Sequence, residues 1–166
     1  MNLKDVILFE IVSSFKNKNI NLPKRQTSFS AGYDFESAID FKISPKTIFL
    51  TPTGIKSCFN KDKVLMIYAR SSLSLKKSLM LANNVGIIDS DYYNNLENEG
   101  HIFIPLYNFS DKEIFVFKGE RIAQGIFQKF YLTNDDNLKN MSRNQKNKVR
   151  KSGFGSTDVD HQKRDQ

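Results

Sequence analysis

Val64-Leu65-Met66-Ile67-Tyr68-Ala69, followed at once by Arg70-Ser71-Ser72, decides how this chain is read. An apolar run this short, bounded by Lys63 and Arg70, has the length and composition of a strand buried on both faces. Other segments have the same texture. Val6 to Val12 is apolar and β-branched, and Ile114–Phe117 and Ile122–Phe130 are separated by the turn signal Lys118-Gly119-Glu120. His101 to Asn108 is rich in β-formers, but Pro105 predicts an edge strand or a bulge there. Pro23, Pro45, Pro52 and Gly54 punctuate the first third and leave no room for long helices. The one expected helix is short, capped by Ser72 and carrying Leu73, Leu75, Leu79 and Met80. Many short strands divided by turns predict an all-β fold, a single-domain jelly-roll-like barrel or sandwich.

The chain has 166 residues, enough for one domain with a substantial core. With 39% hydrophobic and 26% charged residues it is neither disordered nor fibrous in composition. Its one cysteine, Cys58, excludes a scaffold stapled by internal disulfides. The apolar stretch Val6–Phe9 is bracketed by Asp5 and Glu10, too short for a signal-peptide core or a membrane span. A cytoplasmic setting with no membrane partner is expected. After about Leu132 the composition shifts to Asn, Asp, Lys and Ser, so residues 1–132 are expected to form the all-β domain and 133–166 a flexible basic tail. That tail holds much of the net charge of +7, which invites a polyanion without saying which.

Several chemistries are excluded. One Cys and two His (His101, His161) cannot make a Cys/His zinc cluster, which removes the zinc-dependent base deaminases. Phosphate-loop, dinucleotide and Gly-x-Ser-x-Gly signatures are absent. What remains is five short polar blocks: Ala31-Gly32-Tyr33-Asp34-Phe35; Ala69-Arg70-Ser71-Ser72; Asn83 through Tyr92, containing Gly86-Ile87-Ile88-Asp89; Gly119-Glu120-Arg121-Ile122-Ala123-Gln124; and Arg150-Lys151-Ser152-Gly153-Phe154-Gly155-Ser156-Thr157.

With these blocks, in this order and at these separations over roughly residues 30 to 158, the sequence resembles the homotrimeric dUTP pyrophosphatase (dUTPase) family. The resemblance implies an all-β subunit, three shared active sites in a homotrimer, and Mg2+-dependent hydrolysis of dUTP to dUMP and pyrophosphate. Such an activity limits uracil in DNA and supplies dUMP for dTMP synthesis.

The resemblance also implies roles for particular residues. Asp89 is the carboxylate that activates the water attacking the α-phosphate, although taken alone it is a turn-capping Asp after a strand. Asp91 is the weaker candidate for that base. Tyr92 packs under the deoxyribose and excludes a 2'-hydroxyl, where an isolated Tyr is by default a half-buried surface residue. Asn83, with Asn84 as its neighbouring alternative, offers an amide donor and acceptor to the uracil edge beside Gly86, Ile87 and Ile88. Arg70, Ser71 and Ser72 form a phosphate cradle at a strand-to-helix junction, where a plain helix cap is the bland reading. Gln124 adds a neutral donor to the phosphates, and Arg121 is assigned a structural ion pair. Asp34 is expected as a second-shell acceptor from Mg2+-bound water, because magnesium keeps several waters and takes few protein ligands. Arg150, Phe154, Gly155, Ser156 and Thr157 form a flap that stacks on the base and reaches the terminal phosphate.

Two departures from the family pattern stand out. The third block continues through Tyr93-Asn94-Asn95-Leu96-Glu97-Asn98-Glu99-Gly100 where a tight turn is usual, and Ser152 and Asp158 replace common glycines. Two competing readings remain: a dCTP deaminase-like enzyme of the same fold, for which Glu99 lacks an obvious strand, and a basic module for nucleic acid or a regulatory protein, secondary to hydrolysis.

Overall fold

The computed structural model describes residues 6–133. Eleven strands and one helix follow in order: β1 (Ile7–Ile11), β2 (Tyr33–Glu36), β3 (Phe41–Ile43), β4 (Ile48–Pro52), β5 (Ile55–Phe59), β6 (Lys63–Ala69), α1 (Ser71–Lys77), β7 (Leu79–Leu81), β8 (Gly86–Ile88), β9 (Phe103–Asn108), β10 (Ile114–Val116) and β11 (Arg121–Lys129). Single 3-10 turns lie at Ser13–Phe15 and Ser90–Tyr92. All strand pairing among the described residues is antiparallel, in four sheets: β2-β11-β6-β8, β4-β9-β7, β1-β5 and β10-β3. The expected all-β sandwich is what forms. Among the described residues no helix is long and apolar enough to cross a membrane. The proposed tail and its fifth block lie outside the described residues.

One core joins the two larger sheets, with Phe35, Leu65, Ile67, Leu79, Leu106 and Ile122 at its centre, all essentially inaccessible to solvent. Burying each such side chain contributes about 1.5–3 kcal/mol. Around Phe9 an aromatic cluster fastens β1, β2 and β11: its ring lies 5.5 Å from both Tyr33 and Phe35 and 5.6 Å from Phe127. Gly125 makes this closeness achievable, since a Cβ there would sit 2.7 Å from Phe35 Cε2 and 2.9 Å from Leu65 Cδ1.

Three expectations are corrected. In β6 burial alternates: Leu65 and Ile67 are buried, while Met66 and Tyr68 are half-covered, so only one face is fully enclosed. The helix starts at Ser71, so Ser72 lies inside it, and Arg70 stands at the N-cap position without a side-chain capping bond; the helix ends where Ser78 turns left-handed at φ 51°. Leu79 and Met80 consequently belong to β7, and Leu75 points to solvent. Pro105 lies in the middle strand of β4-β9-β7, not on an edge. Its carbonyl accepts from Ala82 N at 2.9 Å, one residue past the end of β7. Because a residue's N–H and C=O face the same neighbour in an antiparallel ladder, the donor that proline lacks would point where β7 has already stopped.

Candidate functional site

The first, second and fourth blocks converge because β11 pairs with β2 on one side and β6 on the other. In that register Gln124 lies opposite both Asp34 and Tyr68, and Ala123 lies opposite Ala69. A solvent-open cleft of about 480 Å³ results, lined by Gln26, Ser30, Gly32, Asp34, Arg70, Ser71 and Gln124. Ser72, one residue into the helix, does not line it. Asp34 Oδ1 forms an ion pair with Arg70 Nε at 3.1 Å, and Oδ2 accepts from Arg121 Nη1 at 3.2 Å. The ion pair expected of Arg121 is therefore formed, and Asp34 is its partner. Gln124 Nε2 donates to Ala69 O at 3.2 Å, which turns its amide along the cleft wall. Arg121, which does not line the cleft, sits behind Asp34 and offsets its charge, so Arg70 on the wall is left to attract an anion.

Gln26 and Ser30 are cleft residues that the sequence reading missed. They belong to a loop held by the reciprocal bonds of Thr27 and Ser30 and by Arg25 Nη1, which donates to Ser28 O and Ser30 O. A Thr-x-x-Ser turn was the available signal, though such turns are common.

The third block builds a second cleft. Between β7 and β8 the chain leaves one large sheet for the other through the turn at 82–85, with Asn84 N donating to Leu81 O and Asn84 at φ 59°. Where the sheets part, Asn83, Gly86, Ile87 and Ile88 line about 330 Å³ of space with Ile67, Leu81, Phe103, Ile104 and Pro105. Apolar walls with one exposed amide suit a flat, polar-edged ring. The wall is tight behind Gly86, where a Cβ would come within 3.2 Å of Ile67 Cβ.

Asp89 follows Ile88 immediately and is exposed. It starts the 3-10 turn with its backbone carbonyl, which accepts from Tyr92 N at 3.1 Å, while its carboxylate makes no capping bond. Tyr92 is buried at 6% exposure, its hydroxyl donating to His101 O and accepting from Asn98 Nδ2, both at 2.8 Å. Its ring is thereby held rigid, with only a small area accessible.

The long 93–100 segment is a loop capped by its own asparagines. Asn95 Oδ1 accepts from Glu97 N and Asn98 N, and Asn98 Oδ1 accepts from Gly100 N and Asn95 Nδ2. Glu99 has φ 61° and lies outside any strand. Its Oε2 accepts from Ser13 N at 3.2 Å and Ser13 Oγ at 3.0 Å, with Lys56 Nζ at 3.4 Å. These hydrogen bonds from Ser13, aided by Lys56, hold its carboxyl below the usual range. Such a carboxylate anchors a loop and is poorly suited to carry a proton for a reaction.

Asp89 and Arg70 stand at opposite ends of β6. Ile88 pairs with Leu65, so Asp89 falls opposite Val64, whereas Arg70 follows Ala69 at the far end. Six residues of extended chain, roughly 20 Å, separate the two positions.

No group of three or more His, Cys, Asp or Glu side chains among the described residues could hold a metal by itself. Among the described residues Asp34 is the only acidic side chain lining this cleft, and each of its oxygens keeps lone-pair capacity beyond its arginine. That donor set fits a magnesium ion held mainly by phosphates and water.

Comparison with known proteins gives one consistent answer. The dUTPase family profile matches residues 18–158, a span that includes the fifth block. The deoxyuridine 5'-triphosphate nucleotidohydrolase of Lactococcus lactis is 48% identical over 149 residues, covering 90% of this chain and 95% of its own. That of Helicobacter pylori strain P12 is 33% identical, covering 85% and 91%. Among solved structures, the dUTPase of Streptococcus mutans superposes with a TM-score of 0.73 at 44% identity, over 76% of this chain and 98% of that one. A dUTPase of the Staphylococcus aureus phage phi11, whose structure reveals a structural Mg(II) ion, shares the fold at a TM-score of 0.64 and 19% identity, over 78% and 94%.

Proposed function

The chain belongs to the dUTPase family, and on that footing we infer that it hydrolyses dUTP to dUMP and pyrophosphate, with Asp89 as base and a homotrimer as the working unit. The observation that carries the reading is the division of four family blocks between two clefts of complementary character. One is apolar with the Asn83 amide, and the other is cationic with Arg70, Ser71 and Gln124.

The base cleft takes uracil. Asn83 pairs with its polar edge, and Gly86, Ile87 and Ile88 close around the ring. A mispaired cytosine leaves buried polar groups unsatisfied at about 1–3 kcal/mol each. Tyr92, held by His101 and Asn98, offers an unyielding ring to the sugar and leaves no volume for a 2'-hydroxyl. Asp89, at the end of a paired strand, takes the proton of the water that attacks the α-phosphorus. Arg70, Ser71 and Gln124 donate to the phosphates, with Ser72 beside them at the helix start. Bound Mg2+ would neutralise phosphate charge and orient the pyrophosphate leaving group. Asp34 would accept from its water shell. Arg150, Phe154, Gly155, Ser156 and Thr157, within the separate segment 133–166, close over the nucleotide and exclude water.

Strand register supports the trimer. A triphosphate is much shorter than the roughly 20 Å of β6 between Asp89 and Arg70, so one chain's Asp89 works with another chain's Arg70. A reducing cytoplasmic location accords with the single cysteine. The deaminase alternative loses its acid–base residue, since Glu99 is committed to Ser13 and Lys56.

The test is pyrophosphate release from dUTP and the four standard deoxynucleoside triphosphates, with and without magnesium, alongside ammonia release from dCTP. The expected result is magnesium-dependent pyrophosphate release from dUTP alone. Ammonia from dCTP, or no release from dUTP, refutes the reading.

A further inference from the structure

We propose that Asp34 is a positioning residue for Arg70, fixing that guanidinium in the orientation in which it meets phosphate. This rests on the cationic cleft being the phosphate site and extends it by saying how the site is kept ready before substrate arrives. Asp34 on β2 and Arg70 beyond β6 flank the same central strand, β11, which sets the distance between them.

The Arg70 side chain is gripped twice. Its Nε lies 3.1 Å from Asp34 Oδ1 in an ion pair, and its Nη1 donates to the backbone carbonyl of Arg121 at 3.3 Å. A guanidinium is planar, so an ion pair at one nitrogen and a hydrogen bond from another restrict its plane as well as its position. Nη2, with its two N–H groups, is the edge left for a ligand.

Asp34 is itself immobilised. Its side chain is 10% exposed, its backbone N–H donates to Lys24 O at 2.9 Å, and Oδ2 is held by Arg121. Arg121 thus grips Arg70 twice over, directly through its carbonyl and indirectly through the carboxylate. The carboxylate also separates two like charges that would otherwise repel. Without it, Arg70 would be a long, rotamer-rich side chain that has to be ordered at each binding event.

The test is a double-substitution cycle, Asp34→Asn and Arg70→Ala singly and together, in the full chain. It is read by calorimetric binding of inorganic pyrophosphate in EDTA, which takes magnesium out of the measurement. Asp34→Asn alone is expected to weaken binding about tenfold, the scale of one charge-assisted hydrogen bond. In the Arg70→Ala background it is expected to add less than about twofold, because the group it positions is gone. Asp34→Glu, which keeps the charge, is expected to recover part of the loss. Full, additive losses in the two backgrounds overturn the proposal.

A second readout needs no ligand. Exchange between the Arg70 Nη resonances of the free protein, which reports rotation about Nε–Cζ, is expected to be slow in the parent chain and in Asp34→Glu, and fast in Asp34→Asn. Equal exchange in parent and Asp34→Asn also overturns it. If the parent chain binds no pyrophosphate, the phosphate-cleft reading fails, and the exchange measurement still decides whether Asp34 holds Arg70.

Discussion

Asp89 and Arg70 stand at opposite ends of one strand: the first lies opposite Val64 at the start of β6, the second follows Ala69 at its end. Asp89→Asn and Arg70→Ala are each expected to lower turnover at least a hundredfold, the scale of losing a positioned base or phosphate donor. Mixed after joint refolding, the two inactive variants are expected to regain activity. If each site draws the two residues from different chains, about a quarter of sites in randomly mixed trimers are intact. Turnover of the mixture against each variant alone is the measurement, and no recovery would place both residues in one chain's site.

Gly125 is expected to tolerate no side chain. Gly125→Ala sets a methyl group 2.7 Å from Phe35 and 2.9 Å from Leu65, both fully buried. Overpacking of this kind costs about 1–3 kcal/mol. A lowered urea midpoint with unchanged slope would record it, and an unchanged midpoint would show that the aromatic cluster yields more easily than its packing implies.

Thr51 is a stabilising opportunity. Its hydroxyl is buried without a hydrogen-bond partner among the described residues. Thr51→Val removes that unmet polar group at nearly constant volume, and an increase in stability of up to about 1 kcal/mol is expected. Thermal unfolding checks it, and a lower Tm would mean that the hydroxyl is satisfied in solution.

His101 makes stability depend on acid. Burial pushes its imidazole down to about 4 from an ordinary 6.5, and Nε2 accepts from Gly54 N at 2.8 Å, which requires the neutral ring. Above 6.5 neither folded nor unfolded chain protonates this group, and its contribution is fully present. Between 6.5 and about 4 the unfolded chain takes up the proton and the folded chain does not, so stability falls as pH falls. Urea titrations across that window are expected to show a shallower decline for His101→Gln, which can accept a hydrogen bond but does not titrate. Equal slopes would mean that the decline has another source.

Legibility from sequence followed the distance over which each signal acts. β6 and β11 were readable because their apolar runs are local, and the third block announced a strand ending in Asp89. Leu79 and Met80 read as helix, since their spacing from Leu73 and Leu75 fits a helical face. Only the left-handed turn at Ser78 moves them into β7. The contribution of Asp34 was the least accessible. Its partners lie 36 and 87 residues along the chain and meet it only after three strands are in register. Glu99 is a similar case: a turn residue by sequence, it becomes an anchor because Ser13, far away in the chain, lies beneath it.

Pro105 carries a consequence for where substrate can sit. By withholding one amide proton beside Ala82, it deprives β7 of the bond that would have zipped the pair another step. The polypeptide is released there, crosses to the opposing layer, and opens the gap in which Asn83 waits. A residue on the wall of that gap thus works as punctuation, and the proposed seat of the pyrimidine begins at its full stop.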